Sequence, residues 1–336
     1  MYTPLPSPAS IRVLKIAPSS DVVKPIICTL TVVENYREAP SYHCLSYCWG
    51  DVSSTTSITC NNQSISITSS LHEALLQLRA NGQTDVYLWA DALCINQDDI
   101  AERNQQVSIM AQIYQYCEGV FVWLGIGDES TTTGLQVVET ITQRMHEDLA
   151  PDVPIEEWFE QFALGKLIKG QENEEAWIKA AESFGIQELD PHRWRAFWNF
   201  FTAPWFRRVW VIQEVQGQDN VLVLCGSYCI AWSYVGVAAR WAVGSWAMVI
   251  GQFILGADFR VHLDGALGAE IMWRKEYFSE ETMGFLGRLD QCRRMLATDG
   301  RDKVYALLGK GNSIKEDEKA ARTVSFSMSE SEDKTH

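Results

Sequence analysis

The sequence predicts an α/β fold: a mixed, largely parallel, Rossmann-like sheet flanked by helices, with β-hairpins near the N-terminus and a helical insertion. Three observations support this prediction. Short apolar runs rich in β-branched residues alternate with longer segments whose apolar residues recur every three or four positions. Paired strands come first, and strands alternating with helices follow, which is the order of a parallel sheet. A hydrophobic content of 46% in 336 residues is enough for one large core.

The N-terminal part of the chain predicts strand pairs. Residues 11–16 and 26–34 are apolar, rich in β-branched side chains and separated by a Pro/Ser/Asp-rich stretch, so we expect two strands there. Residues 42–49 predict a further strand. Two short segments, 57–60 and 64–68, flank a turn of Asn and Gln residues and predict a β-hairpin.

The segment from Tyr87 to Gly125 predicts a strand, a polar loop, a helix and a second strand. The first strand, Val86–Leu93, is expected to be buried on both faces, with Asp91 near its carboxyl end. A buried carboxylate costs several kcal/mol unless it is paired or hydrogen-bonded, so Asp91 either anchors the loop or belongs to a site. Open α/β sheets bind ligands at this end of their strands.

The helix of this segment has an apolar stripe that runs from Ile100 to Cys117. Asp99 is expected to cap its first turn, while Glu102 reaches back to the N–H of Asp99 in a capping box. This capping role would explain the presence of Glu102 without a catalytic function. The strand Val120–Leu124 follows and completes a βαβ unit.

The second half of the chain is predicted to be mainly helical. Residues from about 131 to 203 are helical and acidic, and we interpret them as an insertion between strands. The tail at 311–336 is charged and Ser-rich, which predicts disorder and leaves residues 1–310 as one domain. The sheet is predicted to resume at 208–213, 220–225 and 228–231, and further helices are expected at about 232–256, 280–296 and 301–308.

Charge and cysteine usage restrict the partners and the compartment. The net charge of −15 repels phosphate backbones, so nucleic acid is not an expected partner. Nine cysteines spread through apolar runs are typical of reduced intracellular thiols, and no secretory signal is recognised, so we expect a cytoplasmic protein. The apolar stretch Trp241–Gly256 is too short for a membrane span and predicts a buried core helix.

Four segments, in this order, resemble the fungal heterokaryon incompatibility (HET) domain over roughly residues 10–310. They are Tyr42–Asp51 (YHCLSYCWGD), Leu88–Gln97 (LWADALCINQ) with Glu102-Arg103, Trp205–Glu214 (WFRRVWVIQE) and Asp299–Gly309 (DGRDKVYALLG). A chance occurrence of four such blocks in order is far rarer than a single motif match.

The resemblance implies a domain that triggers cell death when incompatible fungal strains fuse, often as the N-terminal effector of a longer chain. It also implies a fold similar to TIR domains, some of which cleave NAD with a glutamate. An NAD-like nucleotide is therefore the ligand that the resemblance suggests. The partners it suggests are other incompatibility or signalling proteins and a second copy of the chain.

The candidate catalytic residues are Asp91 and Glu214, with Glu102 as a third acid. Glu214 directly follows an apolar run predicted as a strand, so both acids are expected at one sheet edge, where two carboxylates can serve as proton donor and acceptor. The alternative is a salt bridge from Glu214 to Arg207, Arg208 or Arg301.

The candidate ligand-binding residues surround the same junctions. An aromatic face can stack on a base, amides can bind a ribose, and arginines can hold an anion. The alternative is that these side chains cap helices and bind loop N–H groups. The candidates are Tyr47, Trp49, Gly50, Asp51, Asn96, Gln97, Arg103, Arg208, Gln213 and Arg301.

Nucleophilic and metal chemistry are less favoured. Cys94 would need a histidine, of which His43 is the upstream candidate, but a cysteine between Leu93 and Ile95 is more typical of a small buried hydrophobe. Cysteine pairs four residues apart lie in strand-like runs rather than in zinc knuckles, so no metal is expected. No glycine-rich phosphate motif is present.

Three functional interpretations follow. The first is a HET-domain effector of self/non-self recognition and programmed cell death with a TIR-like nucleotide pocket. The second keeps the fold but makes it an enzyme on a small organic substrate in fungal secondary metabolism. The third is a non-catalytic module that self-associates.

Overall fold

The computed structural model describes residues 2–19, 21, 24–163, 190–216, 218–244, 247–274 and 284–308. Within these residues nine strands form a single mixed sheet. The strands are β1 (Ile11–Ile16), β2 (Ile27–Val33), β3 (Tyr42–Tyr47), β4 (Thr55–Cys60), β5 (Gln63–Thr68), β6 (Tyr87–Trp89), β7 (Gly119–Trp123), β8 (Val221–Cys225) and β9 (Tyr228–Ala231).

The strand order is β5-β4-β2-β1-β6-β3-β7-β8-β9. The four neighbours β6, β3, β7 and β8 run parallel and form the centre of the sheet. Every residue of β7 is buried, as expected for a parallel strand covered on both faces. The pairs β1–β2, β4–β5 and β8–β9 are antiparallel. The predicted α/β fold with a mixed sheet is therefore confirmed.

Helices flank this sheet. They are α1 (Ser69–Ala80), α2 (Asp91–Cys94), α3 (Ile100–Ser108), α4 (Met110–Tyr116), α5 (Glu129–Leu149), α6 (Ile155–Ala163), α7 (Pro191–Phe200), α8 (Val211–Val215), α9 (Trp232–Gly244), α10 (Ala247–Leu255), α11 (Phe259–Trp273), α12 (Phe285–Gln291) and α13 (Asp302–Tyr305). The region interpreted as an insertion contains α5, α6 and α7, while residues 164–189 and the tail from 309 lie outside the described part of the chain.

The predicted N-terminal strand pair and hairpin are confirmed. The hairpin turns at Asn61 and Asn62, whose φ angles of 49° and 62° are those of a tight turn that Asn and Gly tolerate. The Asn61 side chain also accepts a hydrogen bond from the Leu30 N–H (2.9 Å) and donates one to the Leu30 carbonyl (3.1 Å). The turn is thus tied to a strand outside the hairpin.

The prediction for residues 86–125 is wrong in three details. The strand β6 ends at Trp89, so Asp91 is the first residue of the helical turn α2 rather than a strand residue. The predicted single helix is interrupted at Ile109, between α3 and α4. Ile100 is 64% exposed and does not belong to the apolar stripe. An apolar run this short cannot separate strand from helix by its period alone, which explains the first error.

The chain after residue 203 is more helical than predicted. Residues 208–213 were predicted as a strand, but Val211–Val215 form the short helix α8. The helix predicted at 232–256 is split into α9 and α10, and α11 was not predicted. The sequence of α11 contains Gly265 and Gly268, which weaken a helical pattern because glycine has low helix propensity.

No helix in the described ranges is by itself both long and apolar enough to cross a membrane. The stretch Trp232–Gly244 followed by Ala247–Trp273 meets the length and composition criteria only as a pair, and that pair is bent by 81°.

The two glycines of α11 allow the helix to contact neighbouring backbone. A Cβ atom at Gly265 would lie 1.8 Å from the Phe201 carbonyl oxygen, and one at Gly268 would lie 2.0 Å from the Phe206 oxygen. Both distances are shorter than any van der Waals contact, so an alanine here requires the backbone of α11 or of its neighbour to move.

We expect Gly265→Ala to lower the free energy of unfolding by about 1–3 kcal/mol, the usual cost of overpacking a core. Urea denaturation followed by circular dichroism measures this change. Gly300→Ala is the matched control, because a Cβ atom there would meet nothing within 4 Å. Equal midpoints for the two variants would show that α11 does not pack this closely.

Candidate functional site

The carboxyl ends of β3 and β6 lie side by side, because these strands are parallel neighbours. The first turn after β6 presents Asp91. Its carboxylate accepts hydrogen bonds from the Trp49 indole N–H (2.9 Å) and from the Ala92 backbone N–H (2.8 Å). Burial raises the pKa of Asp91, and the hydrogen bond from Trp49 and the charge of Arg208 act in the opposite direction. The Asp91 side chain is partly exposed to solvent, so burial raises its pKa less than it would raise that of a fully buried carboxyl group.

Glu214 lies on α8 and is only 6% exposed. Its carboxylate accepts a short hydrogen bond from the Ser46 hydroxyl, which in turn accepts one from the Trp205 indole N–H (2.7 Å). Burial raises the pKa of Glu214 to about 7, against the lowering effects of the Arg208 charge and the Ser46 hydrogen bond. Asp91 adds to the increase. A carboxyl group with this pKa can both give and take a proton near neutral pH.

The charge of Arg208 acts on both acids and lowers the pKa of each. Its guanidinium donates a short hydrogen bond to the Tyr47 carbonyl at the end of β3. Burial by itself would lower the pKa of Arg208. The neighbouring Glu214, Cys48 and Asp91 side chains outweigh that effect, so the pKa is raised. We call the group of Ser46, Trp49, Asp91, Arg208 and Glu214 the carboxylate cluster.

Two buried polar atoms beside this cluster lack a hydrogen bond of normal geometry to any described residue. One is the Tyr47 hydroxyl, which still lies close enough to the Asp91 carboxylate that burial, the charge of Asp91 and a hydrogen-bonding interaction with it all raise the pKa of Tyr47. The other is the Gln213 side-chain oxygen, while the amide nitrogen of the same side chain donates to the Tyr305 carbonyl (2.8 Å). Buried polar atoms are rarely left unpaired in native proteins, so both atoms are suited to a bound molecule or to water.

Glu102 belongs to a different arrangement. It forms an ion pair with Arg12 through both carboxylate oxygens, at 2.5 and 2.9 Å, and Arg12 is 1% exposed. Its Oε1 also accepts from the Asn96 N–H (2.7 Å). Asp99 caps α3 as predicted, accepting from the N–H groups of Ala101 and Glu102. The other half of the predicted capping box is wrong, since the Glu102 carboxylate contacts Asn96 and Arg12 instead of Asp99.

The other predicted ligand residues fall into two groups. The Gln97 amide donates to the Asp91 carbonyl (2.9 Å), Asn96 is half-buried in the same loop, and Gly50 turns the chain after β3 with a φ of 71°. Other candidates lie on the surface: Asp51 binds the hydroxyl and N–H of Ser53, Arg103 is exposed, and Arg301 pairs with Asp299 at 2.6 Å.

Cys94 has the environment of a buried apolar residue. It is fully buried, and burial raises the pKa of its thiol to about 12, which keeps it in the unreactive thiol form at neutral pH. His43 stacks on Phe121 with ring centroids 4.9 Å apart. In the described ranges, no group of three or more His, Cys, Asp or Glu side chains is arranged to hold a metal ion.

Sequence reasoning missed Ser46 and Trp205 as partners of Glu214. Ser46 is a polar residue inside the apolar run of β3, and this pattern could have indicated a buried hydrogen bond there. Trp205 lies in one of the four HET-like sequence segments, but no role was predicted for it.

Two cavities of about 300 and 310 Å³ lie elsewhere in the described part of the chain, and none of their lining residues belongs to the carboxylate cluster. We place the candidate site at the cluster because its buried acids and arginine can perform chemistry.

The fold and the cluster define an α/β protein with two acids, the buried Glu214 and the partly buried Asp91, near the carboxyl edge of its parallel strands. The sequence model of the family Heterokaryon incompatibility protein (HET) matches residues 42–214, about half of the chain. The chain belongs to this HET family. The match begins in β3 and ends at Glu214, so it contains the whole carboxylate cluster.

A curated relative, Heterokaryon incompatibility protein 6, OR allele, of Neurospora crassa, is 28% identical over 229 residues. The aligned region covers 64% of this chain and 33% of that protein, so the chain spans about a third of the length of its relative. No solved structure matches the chain, and the likeness to TIR domains stays a prediction.

Proposed function

We propose that the chain is a HET-domain effector of fungal heterokaryon incompatibility, which triggers programmed cell death in self/non-self recognition. We further propose that its carboxylate cluster binds a nucleotide-like ligand, NAD first among them, and catalyses its hydrolysis. The observation that carries the chemical part is Glu214, a buried acid whose pKa of about 7 makes it a proton acceptor at cellular pH.

The chemistry of NAD hydrolysis suits this arrangement. Nicotinamide leaves as a neutral ring, so the leaving group needs no proton, whereas the attacking water must lose one. Glu214 is suited to take that proton, Arg208 to hold a phosphate, and Trp49, which is partly exposed, to stack on a ring. The Tyr47 hydroxyl, which lies beside Asp91, and the Gln213 oxygen, which has no hydrogen-bond partner among the described residues, offer a donor and an acceptor for ribose hydroxyls.

Release of nicotinamide from NAD by the purified chain, measured by chromatography, tests the enzymatic part. We expect release by the wild type and a loss of about 100-fold or more in Glu214→Gln, the usual contribution of general acid–base catalysis. Asp98→Asn is the matched control, because it removes an exposed carboxylate from the loop that follows α2. An inactive wild type, or a fully active Glu214→Gln, would refute NAD hydrolysis.

Cell death on overexpression in a filamentous fungus is the second measurement for the same variants. Cell death with the wild type and with Asp98→Asn, but not with Glu214→Gln, supports the proposal. Death that persists in Glu214→Gln would favour a self-associating module without catalysis. A changed metabolite profile without death would favour an enzyme on a small organic substrate.

We place the protein in the cytoplasm as part of the proposal. All nine cysteines are free thiols, and only Cys229 is exposed, which is the pattern of a reducing compartment. Fluorescence microscopy of the tagged chain in the same host tests this location.

A further inference from the structure

A second candidate ligand site lies between α11 and the segment that follows α12. A cavity of about 300 Å³ opens there, at the lower end of the range for small-molecule sites. Its polar lining consists of Arg207, Asp264, Asp290, Gln291, Arg293 and Arg294. The cavity is therefore lined by three guanidinium groups and two carboxylates, in a chain whose net charge is −15.

Two polar atoms of the lining are buried without a hydrogen-bond partner among the described residues. One is the Arg207 Nε–H, a donor, and the other is Asp264 Oδ1, an acceptor. Asp264 forms an ion pair with Arg294, whose Nη1 lies 3.6 Å from that oxygen, beyond hydrogen-bond distance. The site thus presents one unfilled donor and one unfilled acceptor.

The other two arginines are loosely held. Arg293 Nη1 lies 3.5 Å from Asp290 Oδ1, and the side chains of Arg293 and Arg294 are 66% and 53% exposed. The Arg293–Asp290 pair is exposed on both sides and contributes little free energy, and the Arg294–Asp264 pair is too long for a hydrogen bond, so either guanidinium can turn to a ligand at small cost. Arginine binds phosphate through two parallel N–H groups, which makes a cluster of three arginines well suited to a phosphate.

We propose that this cavity binds a small phosphate monoester of a hydroxylated carrier, that is, a sugar phosphate or a mononucleotide. Arg207, Arg293 and Arg294 hold the phosphate, and a hydroxyl of the carrier donates to Asp264. A free inorganic phosphate satisfies the arginines but brings no carrier hydroxyl to donate to the Asp264 oxygen. The site is separate from the carboxylate cluster, although Arg207 and Arg208 are adjacent in the chain.

Isothermal titration calorimetry of the full chain with ribose 5-phosphate tests this proposal. We expect saturable binding that is weaker with inorganic phosphate and absent with ribose. Arg294→Gln, an exposed position that does not endanger folding, should weaken binding about tenfold, the effect of losing one charge-assisted contact. Arg195→Gln is the matched control, since it removes an exposed arginine of α7 that does not line this cavity.

Two further variants separate the parts of the proposal. Asp264→Asn should weaken binding of ribose 5-phosphate without weakening that of inorganic phosphate, and Glu214→Gln should bind ribose 5-phosphate like the wild type. Absence of heat with ribose 5-phosphate overturns the site. Equal weakening by Arg195→Gln and Arg294→Gln also overturns it, because the attraction would then be general. Loss of binding in Glu214→Gln would assign the ligand to the carboxylate cluster instead.

Discussion

Replacing Glu102 with glutamine is expected to lower the free energy of unfolding by about 3–5 kcal/mol, the cost of removing one partner from a buried ion pair. The Arg12 guanidinium is 1% exposed and makes two bonds to this carboxylate. Its remaining partners are the carbonyl oxygens of Cys94 (3.1 Å) and Thr3 (2.6 Å) and the Tyr2 ring (4.9 Å to the centroid), none of which carries the negative charge that would balance it. The variant therefore leaves a buried cation without a counter-ion.

Chemical denaturation followed by tryptophan fluorescence measures this loss. Asp98→Asn serves again as the control, because it removes a carboxylate from the same loop at an exposed position, where we expect a change within about 0.5 kcal/mol. A Glu102→Gln variant as stable as that control would show that the Arg12 pair does not support the fold. It would also return Glu102 to the catalytic candidates.

The position of Asp91 could be predicted from the sequence, although its local structure could not. The apolar run before it identifies a buried strand, and the polar residues after it identify the loop, so the carboxyl edge follows from general rules of α/β sheets. Whether Asp91 ends the strand or begins a helical turn depends on the carbonyl of Ala90, which accepts from the N–H groups of Leu93 and Cys94. Such a turn has no periodic signature.

The contacts of Glu214 and Glu102 could not be predicted, because they join residues far apart in the chain. Ser46 and Glu214 are separated by 168 positions, and Arg12 and Glu102 by 90. A local pattern gave Glu102 a local explanation as part of a cap, while the folded chain pairs it with an arginine from β1. The sequence blocks identified the right neighbourhoods, and the tertiary fold decides which acid is neutralised and which is left with a raised pKa.

Raising the pH from about 4.5 to 7 is expected to destabilise the wild type through Glu214. Its pKa is raised from 4.5 in an unfolded chain to about 7 in the folded protein, mainly by burial. Between these values the folded state keeps a proton that the unfolded state releases, so the stabilising contribution is present below pH 4.5 and is lost as the pH rises through 7. The loss amounts to roughly 3 kcal/mol, because each pKa unit is worth about 1.4 kcal/mol.

Glu214→Gln removes this titration while keeping an acceptor for the Ser46 hydroxyl. We therefore expect the variant to match the wild type at pH 4.5 and to exceed its free energy of unfolding by up to roughly 3 kcal/mol at pH 8. Urea denaturation across this pH range measures the difference between the two proteins, which isolates Glu214 from Asp91 and the other acids. A difference that does not change with pH would show that Glu214 is ionised in the folded state throughout. Greater stability together with lost activity is the combination expected of a catalytic carboxylate, since a purely structural carboxylate would not weaken the fold at neutral pH.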